Sequence, residues 1–273
     1  MSGVAASRRD VRAAARRRRG RRGAAVAGLS TLVVIGGLVA IVVTSPGWDS
    51  VRQTFFSWPD FKRAFPDVLS GFWLDVKLFV IVEAVVLALG LAVALCRTSR
   101  APALFPLRLL ATLFVDLLRG VPTILLVFLI GFGVPALQLS GLPSDPVVLG
   151  GAALALSYSA YVAEVYRAGI RSVHPSQRAA ALALGLTEPQ ALRWVILPQA
   201  VRRVVPPLLN DFVALQKDVA LVSILGPLEA FRVAQIDASS NFNYTPLLAA
   251  ALLYLCVTVP TARVVDWLQE RQA

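Results

Sequence analysis

The sequence predicts an all-α, polytopic membrane protein with six transmembrane helices. Two observations carry that expectation. Apolar residues fill 57% of the 273 positions and charged ones only 16%, with a mean hydropathy of +0.69, outside the range of soluble globular chains. Apolar runs near the roughly 20 residues that cross a bilayer recur at 24–44, 71–95, 105–137, 147–170, 204–226 and 246–268.

The run 24–44 follows nine Arg and a single acid, Asp10, within residues 1–22. Positive flanks stay in the cytoplasm, so 1–23 is expected as a basic cytoplasmic tail and 24–44 as a transmembrane anchor. The run exceeds a signal peptide's apolar core and no small-x-small site follows it, so the anchor is read as uncleaved. Ser7-Arg8-Arg9 does not continue into a twin-arginine signal. Residues 45–68 form an extracytoplasmic linker in which Arg52, Lys62 and Arg63 are offset by Asp49, Asp60 and Asp67.

The second run, 71–95, contains Asp75 and leads into an inside loop with Arg97, Arg100 and Arg108. The third, 105–137, is long enough for a kinked helix that breaks at Gly120-Val121-Pro122, with an expected Asp116–Arg119 pair ordering the break. In the fourth, 147–170, Glu164 and Arg167 are three apart on one helix face and are expected to pair. In the fifth, 204–226, Lys217 and Asp218 lie about 10 residues from the edge at Pro206, near the midplane at about 1.5 Å per residue. Charges at that depth face a partner or water, so Lys217 is expected to pair with Asp218, Asp211 or a carboxylate on a neighbouring helix, to contact substrate, or both. The last run, 246–268, returns residues 269–273 to the cytoplasm, with both termini inside.

The net charge of +11 does not call for a nucleic-acid partner, because the nine Arg and Asp10 of the tail account for +8 of it. A topology signal and anionic lipid headgroups explain the tail. Two cysteines, Cys96 and Cys256, and one histidine, His174, give no cluster for metal or thiol chemistry. The chain has no phosphate-binding loop of the Gly-x-x-x-x-Gly-Lys type, so ATP chemistry would belong to another chain.

Between the fourth and fifth runs, residues 176–198 read as two short helices and a sharp break. Ser176 after Pro175 is expected to cap the first, and the Ala-Leu run 179–184 has high helix propensity. Gly185 suits a left-handed C′ position. Thr187 and Gln190 form a capping box for the second helix, and Pro198 is expected to stop it. Such an elbow fits either a partner's groove or the membrane surface.

Residues Gln177, Ala180, Ala181, Ala183, Leu184, Gly185, Leu186, Val195, Leu197, Pro198, Gln199 and Ala200, with Tyr161, Ala163, Glu164, Arg167, Gly169 and Ile170 upstream, stand in a pattern that is shared downstream by Pro206, Pro207, Asn210, Lys217, Asp218, Leu221 and Glu229. A further block, Asp116 to Pro122, agrees in order and spacing. The pattern resembles permease subunits of bacterial ATP-binding-cassette importers for polar amino acids, over roughly residues 69–268. The resemblance implies a five-helix type I importer core after the anchor, in a bacterial inner membrane. It implies a transport subunit with no catalysis or cofactor of its own. ATP and Mg would sit on two separate ATPase subunits, and solute would arrive from an extracytoplasmic binding protein. A second permease, membrane lipid and no nucleic acid complete the expected partners.

The resemblance assigns ATPase docking to the cytoplasmic loop 171–200, through Ser176, Gln177, Ala179, Ala180, Ala181, Gly185, Leu186, Leu197 and Pro198. Candidate translocation-path residues are Asp75, Glu164, Asn210, Lys217 and Asp218. The chain departs from the family at Ala179, where Glu is usual and faces a basic ATPase residue. A heterodimer with a different permease that keeps this carboxylate is therefore favoured. Asp75 stands where Thr is usual and could attract a substrate cation or pair with Lys77. Val219 and Ala220 replace hydroxyl residues. Two rival classes are an ion-gradient-driven secondary transporter, which would show inverted repeats, and a non-transporting scaffold, in which midplane Lys217-Asp218 would be wasteful.

Overall fold

The computed structural model describes the backbone of residues 8–99 and 101–271 and the side chains from Val26 onward, except Arg100. The charged side chains expected in the tail over 1–23 thus lie outside the described residues. Eleven α-helices follow in order: α1 Arg8–Val43, α2 Trp48–Phe55, α3 Trp58–Thr98, α4 Phe105–Gly120, α5 Thr123–Ala136, α6 Pro146–Ser172, α7 Pro175–Ala183, α8 Glu188–Ala191, α9 Leu197–Asp218, α10 Ala230–Asn241 and α11 Thr245–Glu270. Among the described residues four helical segments are long and apolar enough to cross a bilayer, and the number rises to six when each of two bent pairs, α4 with α5 and the α8–α9 run with α10, is counted as one span.

The chain divides into two compact units between Phe56 and Ser57. In the first, Val26–Val43 has a mean hydropathy of 2.6 and none of its residues buried. A helix apolar on every face needs lipid around it. The stretch 45–68 is mostly helical, because α2 fills 48–55 and α3 starts at Trp58. Pro59 in the first turn of α3 suits the fixed φ of a helix start, and Ser57 Oγ donates to Asp60 Oδ2 at 2.5 Å.

The second unit is built around α6. Gly150, Gly151, Ala153, Ala155, Ser157, Ser159, Ala160 and Ala163 line its buried faces, and small side chains let helices approach closely where no water is expelled to drive packing. Against them lie Leu78, Val82 and Val86 of α3, Val127 of α5, and Leu215, Val219 and Val222 of the α9 run. Phe79 meets Phe212 edge to face at 4.8 Å between ring centres.

Each break has a local cause. α4 and α5 meet at 108° because Pro122 forces Val121 into an extended conformation, φ −107° and ψ 131°. The expected Asp116–Arg119 pair does not form. Arg119 instead lies over the Tyr161 ring at 5.5 Å, so no Asp116–Arg119 ion pair orders the bend. Pro198 does not stop a helix either: a π-helical turn at Leu192–Ile196 joins α8 to α9. The wider turn absorbs the missing N–H and the ring clash of the proline. Beyond α9, a 3₁₀ segment, Val219–Leu225, ends at Gly226 with φ +107°. The expected span 204–226 is therefore part of a longer, broken one that resumes in α10 at 52°.

Candidate functional site

The elbow is built from α7, a reversal and α8. His174, not Ser176, caps α7: its Nδ1 accepts the Ser176 N–H at 3.2 Å and lies 2.7 Å from the Ser176 hydroxyl. Pro175 takes the first helical position, so the residue before it holds the capping geometry. At the other end Gly185 has φ +84°. The Gly185 N–H donates to Leu182 O at 3.0 Å and the Leu186 N–H to Ala181 O at 3.2 Å, a Schellman closure that a side chain bearing Cβ disfavours. The Thr187 N–H then donates to Gln190 Oε1 at 2.9 Å, the reach-back expected for the start of α8.

Two further contacts fix the angle between the arms. Arg178 on α7 donates through Nε to Glu188 Oε2 at 2.9 Å and pairs through Nη2 at 2.6 Å. Gln199 Nε2 donates to Gln177 Oε1 at 3.4 Å, tying α7 to the start of α9. At the base, Val173, Ile196 and Ala200 pack together, and Arg203 donates to the Ser172 carbonyl at the end of α6. The elbow is thus joined to both α6 and α9.

Of the nine residues expected to dock an ATPase, Ser176, Gln177, Ala179, Ala180, Gly185, Leu197 and Pro198 are exposed and Leu186 is half-buried. Ala181 is 3% exposed and faces inward, because the packing of α7 on the π turn requires a small residue there. Leu184, 84% exposed, and Trp194, 66% exposed, add an apolar surface that the sequence pattern did not single out for docking.

The five candidate path residues fall in separate places. Asp75 is 2% exposed, enclosed where α3, α10 and α11 meet. It accepts from the Tyr254 hydroxyl at 2.8 Å and from Ala230 N–H at 3.3 Å. Gly71, one turn earlier, lets this junction close, since an added Cβ would lie 2.8 Å from the Ala230 nitrogen. Lys77 is turned elsewhere, 5.8 Å from the centre of the Trp73 ring, so Asp75 neither pairs with it nor faces an open path. Glu229, 1% exposed, caps α10 by accepting from Phe231 and Arg232 N–H at 2.8 and 2.6 Å. Glu164 is bound by Arg97 Nη1 at 2.8 Å and by Arg167 Nε at 2.9 Å. The expected Glu164–Arg167 pair forms, and Arg97 extends it from α6 to α3.

The remaining three lie along α9. Asn210 Oδ1 accepts from Gln269 of α11 at 3.4 Å. Asp218 accepts from the Tyr158 hydroxyl at 2.7 Å. Lys217 is exposed and makes no ion pair within 4 Å among the described residues. Two acids nearby extend the polar face: Glu83 on α3 and Asp211 on α9 lie within electrostatic range of one another. Asp211 Oδ2 and Gln216 Oε1 are buried with no hydrogen-bond partner among the described residues. Glu83 carried the same signal in the sequence as Asp75, a carboxylate inside an apolar run. Tyr158 had no such signal.

The model of the binding-protein-dependent transport system inner membrane component matches residues 102–273. The probable amino-acid permease protein YxeN of Bacillus subtilis is 35% identical over 207 residues, covering 74% of this chain and 89% of its own. The glutamine transport system permease protein GlnP of Escherichia coli (strain K12) is 30% identical over 217 residues, 79% and 97% of the two chains. A crystal structure of an amino acid ABC transporter with histidines superposes with a TM-score of 0.71 at 31% identity, covering 79% of this chain and 98% of that one. Inward-facing MetNI, a methionine ABC transporter, shares the fold at 19% identity and a TM-score of 0.58.

Proposed function

The chain belongs to the family of inner-membrane components of binding-protein-dependent transport systems, as a permease of the polar amino-acid type, and from that premise we propose that it forms the solute path of an importer driven by a separate ATPase. The observation that carries this reading is the elbow: an exposed helix pair whose angle is fixed by the Gly185 reversal and the Arg178–Glu188 pair. A lever must keep its shape to transmit movement. In this reading the permease dimer docks two ATPase subunits, one of which grips Ser176, Gln177, Ala179, Ala180, Gly185, Leu186, Leu197 and Pro198 of this chain, with Ala181 as the inward support.

Closure of the ATPases on ATP then pushes the elbow, and α6 and α9 carry the movement to the midplane. ATP and Mg act on the partner, and this chain contributes differential binding of two conformations. The face of α9 holding Asn210, Lys217 and Asp218 borders the path. Its unpaired Lys217 suits a substrate carboxylate, while Asp218, Asp211 and Glu83 suit an ammonium group. An extracytoplasmic binding protein delivers a polar amino acid, and the basic tail stays on the cytoplasmic side against anionic lipid.

Gly185→Val tests the lever. A β-branched residue is strained at φ +84°, while no neighbouring atom lies within 4 Å of the new Cβ, so the membrane core is undisturbed. The variant should insert normally and lose substrate-stimulated ATP turnover and ATPase co-purification. Normal stimulated turnover in that variant removes the elbow from the mechanism.

A further inference from the structure

Where α3 ends, α4 begins and α6 ends, a cavity of about 330 Å³ opens among Arg97, Arg108, Arg167 and Arg171, with Phe105 and Leu109 on its rim. Four guanidinium groups meet few acids. Glu164 binds Arg97 and Arg167, and Asp116 is the other carboxylate acting on Arg167, which leaves two positive charges in excess. Arg108 is held facing the cavity by donating to the Ser99 carbonyl at 3.0 Å and by lying 5.4 Å from the centre of the Phe105 ring. Arg171 is exposed and forms no ion pair among the described residues.

We propose that this cavity binds the phosphodiester headgroup of an anionic phospholipid. Planar guanidinium groups match phosphate oxygens bidentately and hold their charge when partly desolvated. The rim argues for a lipid over a free phosphate. Phe105 and Leu109 are 55% and 49% exposed, and they flank the arginines at the ends of membrane-spanning helices. Acyl chains would cover those side chains while the headgroup meets the charges; a free phosphate would leave them in water. The site is separate from the solute path along α9, and although Arg171 also borders the elbow beside His174 and Arg178, lipid occupancy is measured without transport or an ATPase.

The test is native mass spectrometry of the full-length permease taken from bilayers of phosphatidylglycerol in phosphatidylcholine, for the unaltered chain and for Arg171→Gln, Arg108→Gln and Arg263→Gln. The first two should each lower retained phosphatidylglycerol about fivefold, the loss expected for one cation near an anionic lipid surface. Arg171→Lys should retain more than Arg171→Gln. Arg263→Gln, on a side chain 80% exposed at another site, should change nothing, and millimolar inorganic phosphate should not displace the lipid. Because Arg171 has no ion pair to lose, Arg171→Gln separates lost binding from lost folding, with Tm as the check. Retention in Arg171→Gln and Arg108→Gln at the level of the unaltered chain, or a loss in Arg263→Gln as large as theirs, overturns the proposal. Displacement by inorganic phosphate overturns it in favour of a free-anion site.

Discussion

Glu164 sits between two guanidinium groups with its side chain 23% exposed and those of Arg97 and Arg167 10% and 20% exposed. Such a clamp joins helices more than it conducts solute. Glu164→Gln keeps the shape, removes the charge and leaves two cations partly buried, and should cost about 2 kcal/mol. Thermal unfolding in detergent checks it: a lower Tm with unchanged solute preference is the expected pair of results. An unchanged Tm with altered preference returns Glu164 to the path. Lys217 should behave in the opposite way. Being exposed and outside any ion pair, Lys217→Gln should shift stability by no more than about 0.5 kcal/mol while uptake of labelled amino acid falls at least about tenfold, the value of one charge-assisted hydrogen bond. Uptake at the unaltered rate takes Lys217 off the path. The sequence placed both charges in membrane spans, but only packing separates a carboxylate already neutralised by Arg97, 67 positions away, from an ammonium with no ion-pair partner among the described residues.

At the scale of elements, the elbow owes its helix starts and its reversal to local chemistry and its rigidity to a contact across the reversal. The side chains of Arg178 and Glu188 are 40% and 55% exposed, so the pair adds little to stability. Its value lies in the angle it holds. Glu188→Arg should therefore leave Tm nearly unchanged and depress substrate-stimulated ATP turnover, and the reversed pair Arg178→Glu with Glu188→Arg should recover most of it. Failure of the reversed pair to recover turnover, with the complex intact, assigns these charges to direct contact with the partner. The Gly185 reversal and the Thr187–Gln190 reach-back were legible as short-range patterns. The His174 cap and the π turn before Pro198 were not. Each depends on how Pro175 and Pro198 are accommodated by the backbone around them, which residue type alone leaves open.

For the molecule as a whole, Ala179 leaves an exposed surface of the elbow without the carboxylate that the family resemblance leads one to expect there. We propose that a second, different permease supplies it. Expression of this chain with its ATPase alone should give no uptake, addition of the second permease should give uptake, and Ala179→Glu should strengthen ATPase co-purification of this chain by itself. Active complexes containing only the unaltered chain would refute the heteromer. The membrane sets the larger frame of such experiments. With Val26–Val43 apolar and unburied and exposed apolar side chains on α3, α4 and α5, stability must be measured in a bilayer or detergent that covers those faces.

The sequence by itself determined the all-helical membrane class, the six spans, the kink at Gly120-Val121-Pro122 and the family, since each depends on residue type and spacing along the chain. Only the tertiary structure decided what the charged groups within those spans do. It enclosed Asp75 with Tyr254, 179 positions away, bound Asp218 to Tyr158, 60 positions away, left Lys217 outside any ion pair among the described residues, and drew four arginines from three helices around one cavity. Hydropathy is a sum along the chain. The fate of a buried charge depends on partners that the chain brings together only by folding.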